Sequence, residues 1–466
     1  MEPITLEELL QATEGKLLTK DADLNTKITS VESDNRKVQN GSVFFAFVGE
    51  RTDGHKFVDA ALKAGACGAV VSRAPEAFLP GKFYVLVEDT IKAVGALAAY
   101  YRSKFDIPVV GVTGSVGKTT TKDMIASVLS EKFNVVKTEA NFNNNIGLPR
   151  TIFRITKDTQ IAVIEMGMNH FGEIDYLVNI AKPTVVTITN VGTAHIGNLG
   201  SRENIFKAKC EIFDGLAPHG FAVMNGDDDF LPRLKEDAQK QKDFSFAWVG
   251  EGKDNDFRAE NIQDTLQDEV RYHACTPLGE TDITVPAPGR HMIYPTLTAA
   301  AIGAHFGMTL EEIRAGIAHY TPTALRMEKS VVGDNILIYN DTYNANPQSM
   351  RAGLVTLSHT AGYRHAAVLG DMGELGAHEE ELHREVGKAA AQLNLDLLVT
   401  VGRASLNMAD EARKNGLTNV KSYLTIEEAK AALPEIMQKD TAVLFKASHF
   451  MKMEELVQAA KEYAAK

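Results

Sequence analysis

The residues best suited to chemistry lie in one glycine-rich stretch at 111–120, Gly-Val-Thr-Gly-Ser-Val-Gly-Lys-Thr-Thr. An apolar strand pattern at 107–112 precedes it, and an amphipathic helix pattern follows it. A strand, a glycine-rich turn and a helix N-terminus form a phosphate cradle, because backbone N–H groups and the positive helix end face the anion. Lys118 adds a full charge, and the Thr119 hydroxyl is of the type that ligates phosphate-bound Mg²⁺. The predicted phosphate-binding residues are Gly114, Ser115, Val116, Gly117, Lys118, Thr119 and Thr120.

The glycine spacing of this stretch differs from that of the strict P-loop motif. The strict motif has a glycine six positions before the lysine, and Val112 occupies that position here. The glycines lie instead at positions 111, 114 and 117. A glycine-rich turn without a phosphate role is the alternative interpretation, but the flanking strand and helix favour a phosphate site.

Three further side chains are candidates for metal or phosphate chemistry. Glu165 ends an apolar strand pattern that begins at Ile161, and His195 follows the strand pattern 185–188. The carboxyl ends of parallel strands open onto the ligand crevice, so Glu165 is a natural second magnesium ligand. A solvated carboxylate and a structural histidine are the alternatives for these two residues. Lys209 lies in a helix pattern, where a solvated lysine is the ordinary expectation.

Two segments rich in amide side chains also lie where substrates could bind. The first, at 141–149, reads Asn-Phe-Asn-Asn-Asn-Ile-Gly-Leu-Pro. Its amides can pair with sugars or peptides, or they can simply favour a turn. The second, at 341–347, reads Asp-Thr-Tyr-Asn-Ala-Asn-Pro and follows a strand pattern. That order places it at the crevice edge of a doubly wound sheet.

These candidate residues require a scaffold of alternating strands and helices. The pattern predicts an α/β fold with a small N-terminal α/β domain at 1–88 and a central P-loop domain with a parallel sheet at 89–319. A Rossmann-like, doubly wound domain is predicted at 320–466. Residues 255–286 alternate in polarity and are interpreted as a peripheral hairpin.

Composition restricts the class of protein and its partners. The 466 residues carry a net charge of −12 and show no basic run, which argues against a nucleic-acid-binding protein. The three cysteines, Cys67, Cys210 and Cys275, are scattered, show no metal spacing and suit a reducing compartment. The acidic N-terminus has no apolar signal-peptide core, and no apolar stretch is long enough to span a bilayer. We therefore expect a cytoplasmic, monomeric protein without membrane or nucleic-acid partners.

Taken together, these motifs resemble the Mur ligase family, the ATP-dependent amide-forming enzymes of peptidoglycan precursor synthesis. The glycine spacing before Lys118 is that family's own, and the resemblance covers the whole chain. Three stretches are most similar to members that join D-alanyl-D-alanine to UDP-N-acetylmuramoyl-tripeptide. They are the segment 341–347, Leu-Gly-Asp-Met-Gly-Glu-Leu-Gly at 369–376, and Gly-Glu-Arg-Thr-Asp-Gly-His at 49–55.

The resemblance implies ATP as a substrate, two Mg²⁺ ions and a role for each matching residue. Lys118, Lys209, His195 and Arg326 match catalytic positions, and Lys209 matches a lysine that is carbamylated by CO₂ in the family. The implied metal ligands are Thr119, Glu165 and Lys209. Nucleotide contacts beyond the glycine-rich stretch are implied for Asn225, Arg326 and Asp341. Substrate contacts are implied for Asp34, Asn35, Arg36, Asp53, Gly54, His55, Asn141, Asn144, Tyr343, Asn344 and Asn346.

The chain departs from the family pattern at three places. The first domain has Asp-Asn-Arg at 34–36, where the family's uridine-diphosphate-binding module usually has Asp-Ser-Arg. The family's His-Asn-x-x-Asn is His-Met-Ile-Tyr-Pro at 291–295, so adenine must be contacted by other groups, such as the backbone. Lys-Ala-Ser-His at 446–449 replaces the usual Lys-Gly-Ser-Arg, which removes a candidate carboxylate-binding arginine.

Other functions remain as alternatives at this point. A sibling ligase that adds the third amino acid and a folylpolyglutamate-type synthetase share the general pattern, but the Tyr-Asn-Ala-Asn-Pro stretch at 343–347 argues against both. A P-loop ATPase or kinase would share the phosphate site. A binding protein that has lost its chemistry would share the fold. The sequence leaves open whether the third peptide residue is lysine or diaminopimelate.

Overall fold

A computed structural model describes residues 1–49, 52–264 and 269–465. Glu50 and Arg51, which belong to the candidate substrate stretch at 49–55, lie outside the described residues. The strands of these described residues belong to three sheets, each largely parallel, and to one short two-stranded sheet. None of the helices described is both long and apolar enough to cross a lipid bilayer.

The first part of the chain forms a small sheet that is parallel except at one edge. In spatial order its strands are Lys16–Leu17, Phe83–Leu86, Gly68–Val71, Ser42–Phe45 and Ser30–Glu32. The edge strand Lys16–Leu17 pairs antiparallel with its neighbour. A separate antiparallel pair joins Ile4–Thr5 to Lys27–Ile28. The α-helices here are Leu6–Thr13 and Val58–Lys63, with 3₁₀ turns at Asn35–Lys37 and Gly54–Phe57.

The central sheet carries the glycine-rich stretch. In spatial order its strands are Gly279–Val285, Val270–Thr276, Phe257–Gln263, Ser245–Gly250, Phe221–Asn225, Val185–Ile188, Val109–Thr113, Ile161–Glu165 and Val135–Lys137. The first three strands run antiparallel to one another, and the others run parallel. The α-helices around it are Thr90–Ser103, Lys118–Leu129, Gly147–Ile152, Glu173–Ala181, Ile196–Leu199, Arg202–Cys210, Ala238–Asp243, Ile293–His305 and Leu310–Ala318. Shorter 3₁₀ turns occupy Glu211–Phe213, Leu231–Glu236 and Arg290–Met292.

Helix Thr90–Ser103 connects the first sheet to the central one. The Asp89 side chain caps its N-terminus by accepting hydrogen bonds from the N–H groups of Ile91 and Lys92. At its other end the Tyr101 hydroxyl donates to the carbonyl of Ile155, and the Arg102 guanidinium donates to the carbonyls of Ala181, Phe105 and Ile107. Tyr101 is fully buried, so these bonds fix the helix against the core of the central part.

The last part of the chain forms a second doubly wound sheet. In spatial order its strands are Glu328–Val332, Ile336–Asp341, Thr441–Lys446, Arg364–Gly370, Leu397–Val401 and Val420–Tyr423. Only the first of these pairs antiparallel with its neighbour. The α-helices are Pro347–Ser358, Glu379–Gln392, Ser405–Lys414, Ile426–Ala429, Leu433–Ile436 and Glu454–Ala464, with 3₁₀ turns at Gly376–His378, Lys430–Ala432 and His449–Met451.

The predicted α/β class with parallel sheets is confirmed, and one local interpretation is wrong. Residues 255–286 do not form a separate hairpin, because three antiparallel strands in this region extend the central sheet. The first of them, Phe257–Gln263, pairs parallel with Ser245–Gly250, a contact that alternation in polarity does not reveal. The domain boundaries at 88/89 and 319/320 stay predictions.

Candidate active site

The glycine-rich stretch forms a tight turn between strand Val109–Thr113 and helix Lys118–Leu129. Gly114 has a φ of 151°, and a Cβ there would lie 1.8 Å from Thr189 Oγ1. Gly117, at the helix N-cap, has a φ of 82° with open space around the Cβ position. Both positions therefore require glycine, one for close packing and one for backbone conformation.

A second loop, at 189–192, packs against this turn and forms hydrogen bonds with it. The Asn190 side-chain oxygen accepts from Val116 N–H at 3.0 Å, and Ser115 Oγ accepts from Gly192 N–H at 2.9 Å. The Thr189 hydroxyl donates to the Val116 carbonyl at 2.6 Å. Asn190 is a site residue that the motifs do not indicate, although its place directly after strand Val185–Ile188 is a signal for it.

Lys118, Thr119 and Glu165 meet at the open side of the turn. The Thr119 hydroxyl donates to Glu165 Oε2 at 3.0 Å, and Asn143 Nδ2 donates to Glu165 Oε1 at 2.8 Å. Lys118 Nζ donates to the Gly114 carbonyl at 2.8 Å. Burial lowers the pKa of Lys118, and the negative charge of Glu165 opposes this shift. The turn thus presents a cation beside two oxygen groups suited to a hard metal ion.

Lys209 is 1% exposed, so the expectation of a solvated lysine is wrong. It lies at the end of helix Arg202–Cys210, and burial together with the charge of Lys118 holds its pKa well below the ordinary value. Within the described ranges no side chain hydrogen-bonds to its Nζ or forms an ion pair with it. A helix pattern in sequence cannot reveal this burial, because helix Arg202–Cys210 is short and mostly polar.

The last part of the chain covers the turn through Arg326 and Tyr343. The Arg326 guanidinium carbon lies 3.9 Å from the centroid of the Tyr343 ring, in a cation–π arrangement. Its Nη2 lies 3.4 Å from Thr119 Oγ1. Arg326 therefore brings a second positive charge to the glycine-rich turn at 114–117, which we call the phosphate turn after its expected role, from a different part of the chain.

His195 makes another contact between the central and last parts. Its Nδ1 lies 2.5 Å from Glu374 Oε2, and the imidazole lowers the pKa of Glu374. Nearby, Gly197 N–H donates to the Glu374 carbonyl at 3.0 Å. A Cβ on Gly197 would lie 2.6 Å from the backbone nitrogen of Gly376, so two glycines meet directly. Glu374 lies within the motif at 369–376, but that motif alone does not indicate a role for it.

These elements enclose a cavity of 740 Å³. The predicted site residues that line it are Ser115, Val116, Gly117, Lys118, Thr119, Asn141, Asn144, Glu165, His195, Arg326, Tyr343, Asn344 and Asn346. Asn143, Lys92 and Phe171 also line it and were not selected from the sequence. Several amides have local partners as well: Asn144 accepts from Gly147 N–H, and Asn346 caps helix Pro347–Ser358.

Comparison with known proteins identifies the relatives of this chain. Profiles described as "Mur ligase middle domain", "Mur ligase, glutamate ligase domain" and "Mur ligase family, catalytic domain" match residues 112–303, 325–449 and 27–102. The chain is 37% identical over 459 residues to an Escherichia coli protein named UDP-N-acetylmuramoyl-tripeptide–D-alanyl-D-alanine ligase, covering 98% of each chain. The chain belongs to the Mur ligase family.

Solved structures agree with this Mur ligase assignment. A crystal structure of MurF from Acinetobacter baumannii superposes with a TM-score of 0.91 at 35% identity, covering 99% of each chain. MurF ligase from Thermotoga maritima in complex with ADP gives a TM-score of 0.82 at 26% identity, covering 93% of this chain and 97% of that one. The three-part architecture is therefore that of the Mur ligases.

In this Mur ligase a second cavity, of 350 Å³, lies beside the phosphate turn. Asn225, His291, Tyr294 and Pro295 line it, together with Asn190. Asn225 accepts a hydrogen bond from Asp227 N–H at 3.0 Å, and the Tyr294 hydroxyl donates to Asp227 Oδ2 at 3.2 Å. Met292 is 3% exposed and belongs to the core, so the position where the family has asparagine serves packing here.

Asp341 forms a buried ion pair with Lys446 and does not line the main cavity, but both residues line a smaller cavity together with Gly117 and Arg326. Lys446 Nζ lies 2.5 Å from Asp341 Oδ2 and donates to the Asn344 carbonyl at 2.9 Å. Burial lowers the pKa of Lys446, and Asp341 opposes this shift. His449, at the position where the family has arginine, stacks on Tyr343 at 5.9 Å between centroids.

The predicted first-domain residues form two local networks away from the lining of the main cavity. Asp34 accepts hydrogen bonds from the Arg36 guanidinium at 2.8 and 2.9 Å, which lower its pKa, while Asn35 begins a 3₁₀ turn. Asp53 caps the turn Gly54–Phe57 and contacts His55 Nδ1 at 2.7 Å. The neighbouring Ser33 accepts from Arg150, so this loop reaches the central part near the amide-rich segment.

Proposed function

We propose that this Mur ligase uses ATP to join D-alanyl-D-alanine to UDP-N-acetylmuramoyl-tripeptide, giving the pentapeptide precursor of peptidoglycan. The observation that carries the proposal is the meeting of Lys118, Thr119, Glu165, His195 and Arg326 around one cavity. Relatives bearing that activity in their names align over nearly the whole chain, which supports the choice of substrates.

The reaction requires activation, because a carboxylate is a poor electrophile. Transfer of the γ-phosphoryl group of ATP to the tripeptide carboxylate gives an acyl phosphate and ADP. The D-alanyl-D-alanine amine then attacks the acyl carbon and loses a proton, and the C–O bond to phosphate breaks. Lys118 and Arg326 neutralise the charge that develops on the transferred group.

The donor set at the turn fits magnesium. Thr119 Oγ1 and the Glu165 carboxylate are hard oxygen donors placed together. Lys209 does not line the main cavity, but it lies near enough to Lys118 for that charge to lower its pKa, and a carbamate on it would offer two more oxygen donors. A Mg²⁺ ion held by Thr119 and Glu165 would neutralise negative charge on the phosphate groups of the nucleotide. The lowered pKa of Lys209 supports the carbamate, since CO₂ reacts with a neutral amine and the resulting anion would relieve the repulsion from Lys118.

Contacts between the central and last parts protect the acyl phosphate from water. The His195–Glu374 pair and the backbone contact of Gly197 with Glu374 hold the last part over the turn. In this arrangement Arg326 Nη2 lies 3.4 Å from Thr119 Oγ1, so the contact that covers the turn also brings a positive charge to it.

We assign the remaining site residues to the parts of the substrates. The cavity with Asn225, Tyr294 and Asn190 takes the adenosine portion of ATP. Asn141, Asn144, Tyr343, Asn344 and Asn346 face the peptide substrates. The uridine diphosphate portion is assigned to Asp34, Asn35, Arg36, Asp53, Gly54 and His55. Asp341 is assigned to the nucleotide, because it lines a smaller cavity together with Gly117, Thr120 and Arg326. We further propose that the enzyme acts as a cytoplasmic monomer.

The deciding experiment is ATP-dependent condensation by the full-length protein, with product identified by mass. UDP-muramyl tripeptides carrying lysine or diaminopimelate are each tested with D-alanyl-D-alanine. We expect phosphate release only when a UDP-muramyl tripeptide and the dipeptide are both present. Phosphate release without the tripeptide and without D-alanyl-D-alanine would support a P-loop ATPase instead. In a parallel assay, condensation of a single amino acid onto a UDP-muramyl dipeptide would support the sibling ligase.

A further inference from the structure

A polar patch lies on the hairpin of strands Val270–Thr276 and Gly279–Val285, outside the lining of both cavities described above. The register pairs His273 with Asp282 and Cys275 with Glu280. Residues two apart on a strand project from the same face, and directly paired residues share a face. These four side chains therefore form one cluster, which we call the hairpin cluster.

The two nitrogens of His273 have different surroundings. Nδ1 lies 2.8 Å from Asp282 Oδ1, an ordinary hydrogen-bond distance. Nε2 lies 3.4 Å from Glu280 Oε2, beyond the range of about 2.7–3.2 Å that is usual for such bonds. A ring nitrogen of His273, Cys275 Sγ and a Glu280 carboxylate oxygen all lie within 4.8 Å of one another.

These spacings suit two ligands of one tetrahedral metal ion. With metal–nitrogen and metal–oxygen bonds of about 2.0–2.2 Å, neighbouring ligand atoms in a tetrahedron lie about 3.4 Å apart. Nε2 and Glu280 Oε2 already have this separation. Glu280 is 69% exposed at its side chain, so its carboxylate can turn toward Cys275 without disturbing the core.

We propose that His273 Nε2, Cys275 Sγ and the Glu280 carboxylate bind one Zn²⁺ ion, with water as the fourth ligand. Zn²⁺ accepts nitrogen, sulfur and oxygen donors together, whereas Mg²⁺ and Ca²⁺ prefer oxygen alone. Binding releases the Cys275 thiol proton, and any proton on Nε2, to solvent. Asp282 accepts from Nδ1 and so leaves Nε2 for the metal, as a carboxylate does beside many metal-bound histidines.

Strand Phe257–Gln263, which pairs with the other side of strand Val270–Thr276, contributes no ligand to the proposed site. Glu260 pairs with His273 and Arg258 pairs with Cys275 across strand Phe257–Gln263. Arg258 Nη2 lies 3.2 Å from Glu260 Oε1, so this carboxylate already has a cationic partner. The ion would instead connect the last two strands, of which Gly279–Val285 is the edge of the sheet. Metal binding is therefore expected to raise the melting temperature.

The test is titration of the metal-free, full-length protein with Co²⁺ under anaerobic conditions, followed by Zn²⁺. We expect a thiolate-to-cobalt charge-transfer band at one equivalent, which Zn²⁺ removes by displacement. Cys275→Ser should abolish the band. Glu280→Gln and Asp282→Asn should each weaken affinity by about tenfold or more. Cobalt bound near Thr119 and Glu165 meets oxygen donors and gives no thiolate band.

Matched controls separate this site from adventitious binding. Cys67→Ser removes a different cysteine, and His319→Gln removes a surface histidine that contacts Glu131 at 2.7 Å but has no thiol partner in that contact. Both variants should bind cobalt as the unmodified protein does. The absence of a thiolate band, or a band that persists in Cys275→Ser, overturns the proposal. If Cys275→Ser fails to fold, unchanged affinity in Glu280→Gln overturns it equally.

Discussion

His195 Nδ1 lies 2.5 Å from Glu374 Oε2, and this contact joins the loop after strand Val185–Ile188 to the loop after strand Arg364–Gly370. The imidazole lines the main cavity, whereas its carboxylate partner belongs to a different sheet. Because Nδ1 faces the Glu374 carboxylate, Nε2 is the nitrogen on the other side of the ring. The orientation of His195 therefore depends on contact between the central and last parts.

Glu374→Gln should lower kcat by about tenfold or more, because an uncharged amide orients the imidazole less strongly than a carboxylate does. The measurement is steady-state phosphate release with all three substrates present. Glu380→Gln is the matched control, since Glu380 pairs with Arg384 on the surface and should leave the rate unchanged. A wild-type kcat for Glu374→Gln would contradict the positioning role.

Lys118→Ala should abolish ATP turnover, with a loss of about 100-fold or more, since the variant lacks the cation that faces the transferred phosphoryl group. Phosphate release measures this directly. Lys132→Ala provides the control, because Lys132 follows the same helix and donates to the Gly307 carbonyl away from the turn. Phosphate release at the wild-type rate by Lys118→Ala would refute the P-loop assignment.

Lys209→Ala should be inactive and should regain part of its activity when a small carboxylate such as acetate is added. The cavity left by the side chain can hold the added anion where the carbamate would lie. Lys207→Ala, in the same helix with a side chain 61% exposed, should retain full activity. Full activity of Lys209→Ala without added carboxylate would show that the carbamate is dispensable.

The carbamate on Lys209 should form more completely as the pH rises. Burial and Lys118 hold the pKa of this amine well below 10.5, so its neutral form increases over a lower pH range than for a solvated lysine. Carbamate formation consumes the neutral amine and releases a proton, so a higher pH favours the carbamate for this reason as well. A ¹³C-carbamate NMR signal from labelled bicarbonate should therefore grow with pH and be missing in Lys209→Ala. A signal of equal size in that variant would assign it elsewhere.

Arg326→Lys should reduce kcat/KM for ATP by about tenfold, although it retains the charge. A planar guanidinium can stack on Tyr343 while it reaches Thr119, and an ammonium cannot do both. Arg351→Lys, an exposed position on helix Pro347–Ser358, serves as the control. Equal kcat/KM values for Arg326→Lys and the unmodified enzyme would argue against a role for stacking.

The sequence located the phosphate turn because its signals are local. Val109–Thr113 and Ile161–Glu165 are buried on both faces and appear as continuous apolar runs, so the residues at their carboxyl ends could be found. Lys209 could not be judged from a helix pattern, since its burial arises from elements distant in sequence. Glu374 and Asn143 have partners that lie far along the chain, which a local pattern does not show. Asn190 differs from them, because its place directly after strand Val185–Ile188 is a local signal.

The paired glycines Gly197 and Gly376 have a consequence for inhibitors. A molecule bound in the 740 Å³ cavity lies between the phosphate turn and the elements that carry Arg326 and Glu374. Such a molecule must break its contacts with both sides before it leaves, so its residence time should exceed that of a molecule bound to the turn alone. Compounds of equal affinity would then differ in how long they inhibit the enzyme. Dissociation rates would therefore rank the duration of inhibition better than equilibrium affinities would.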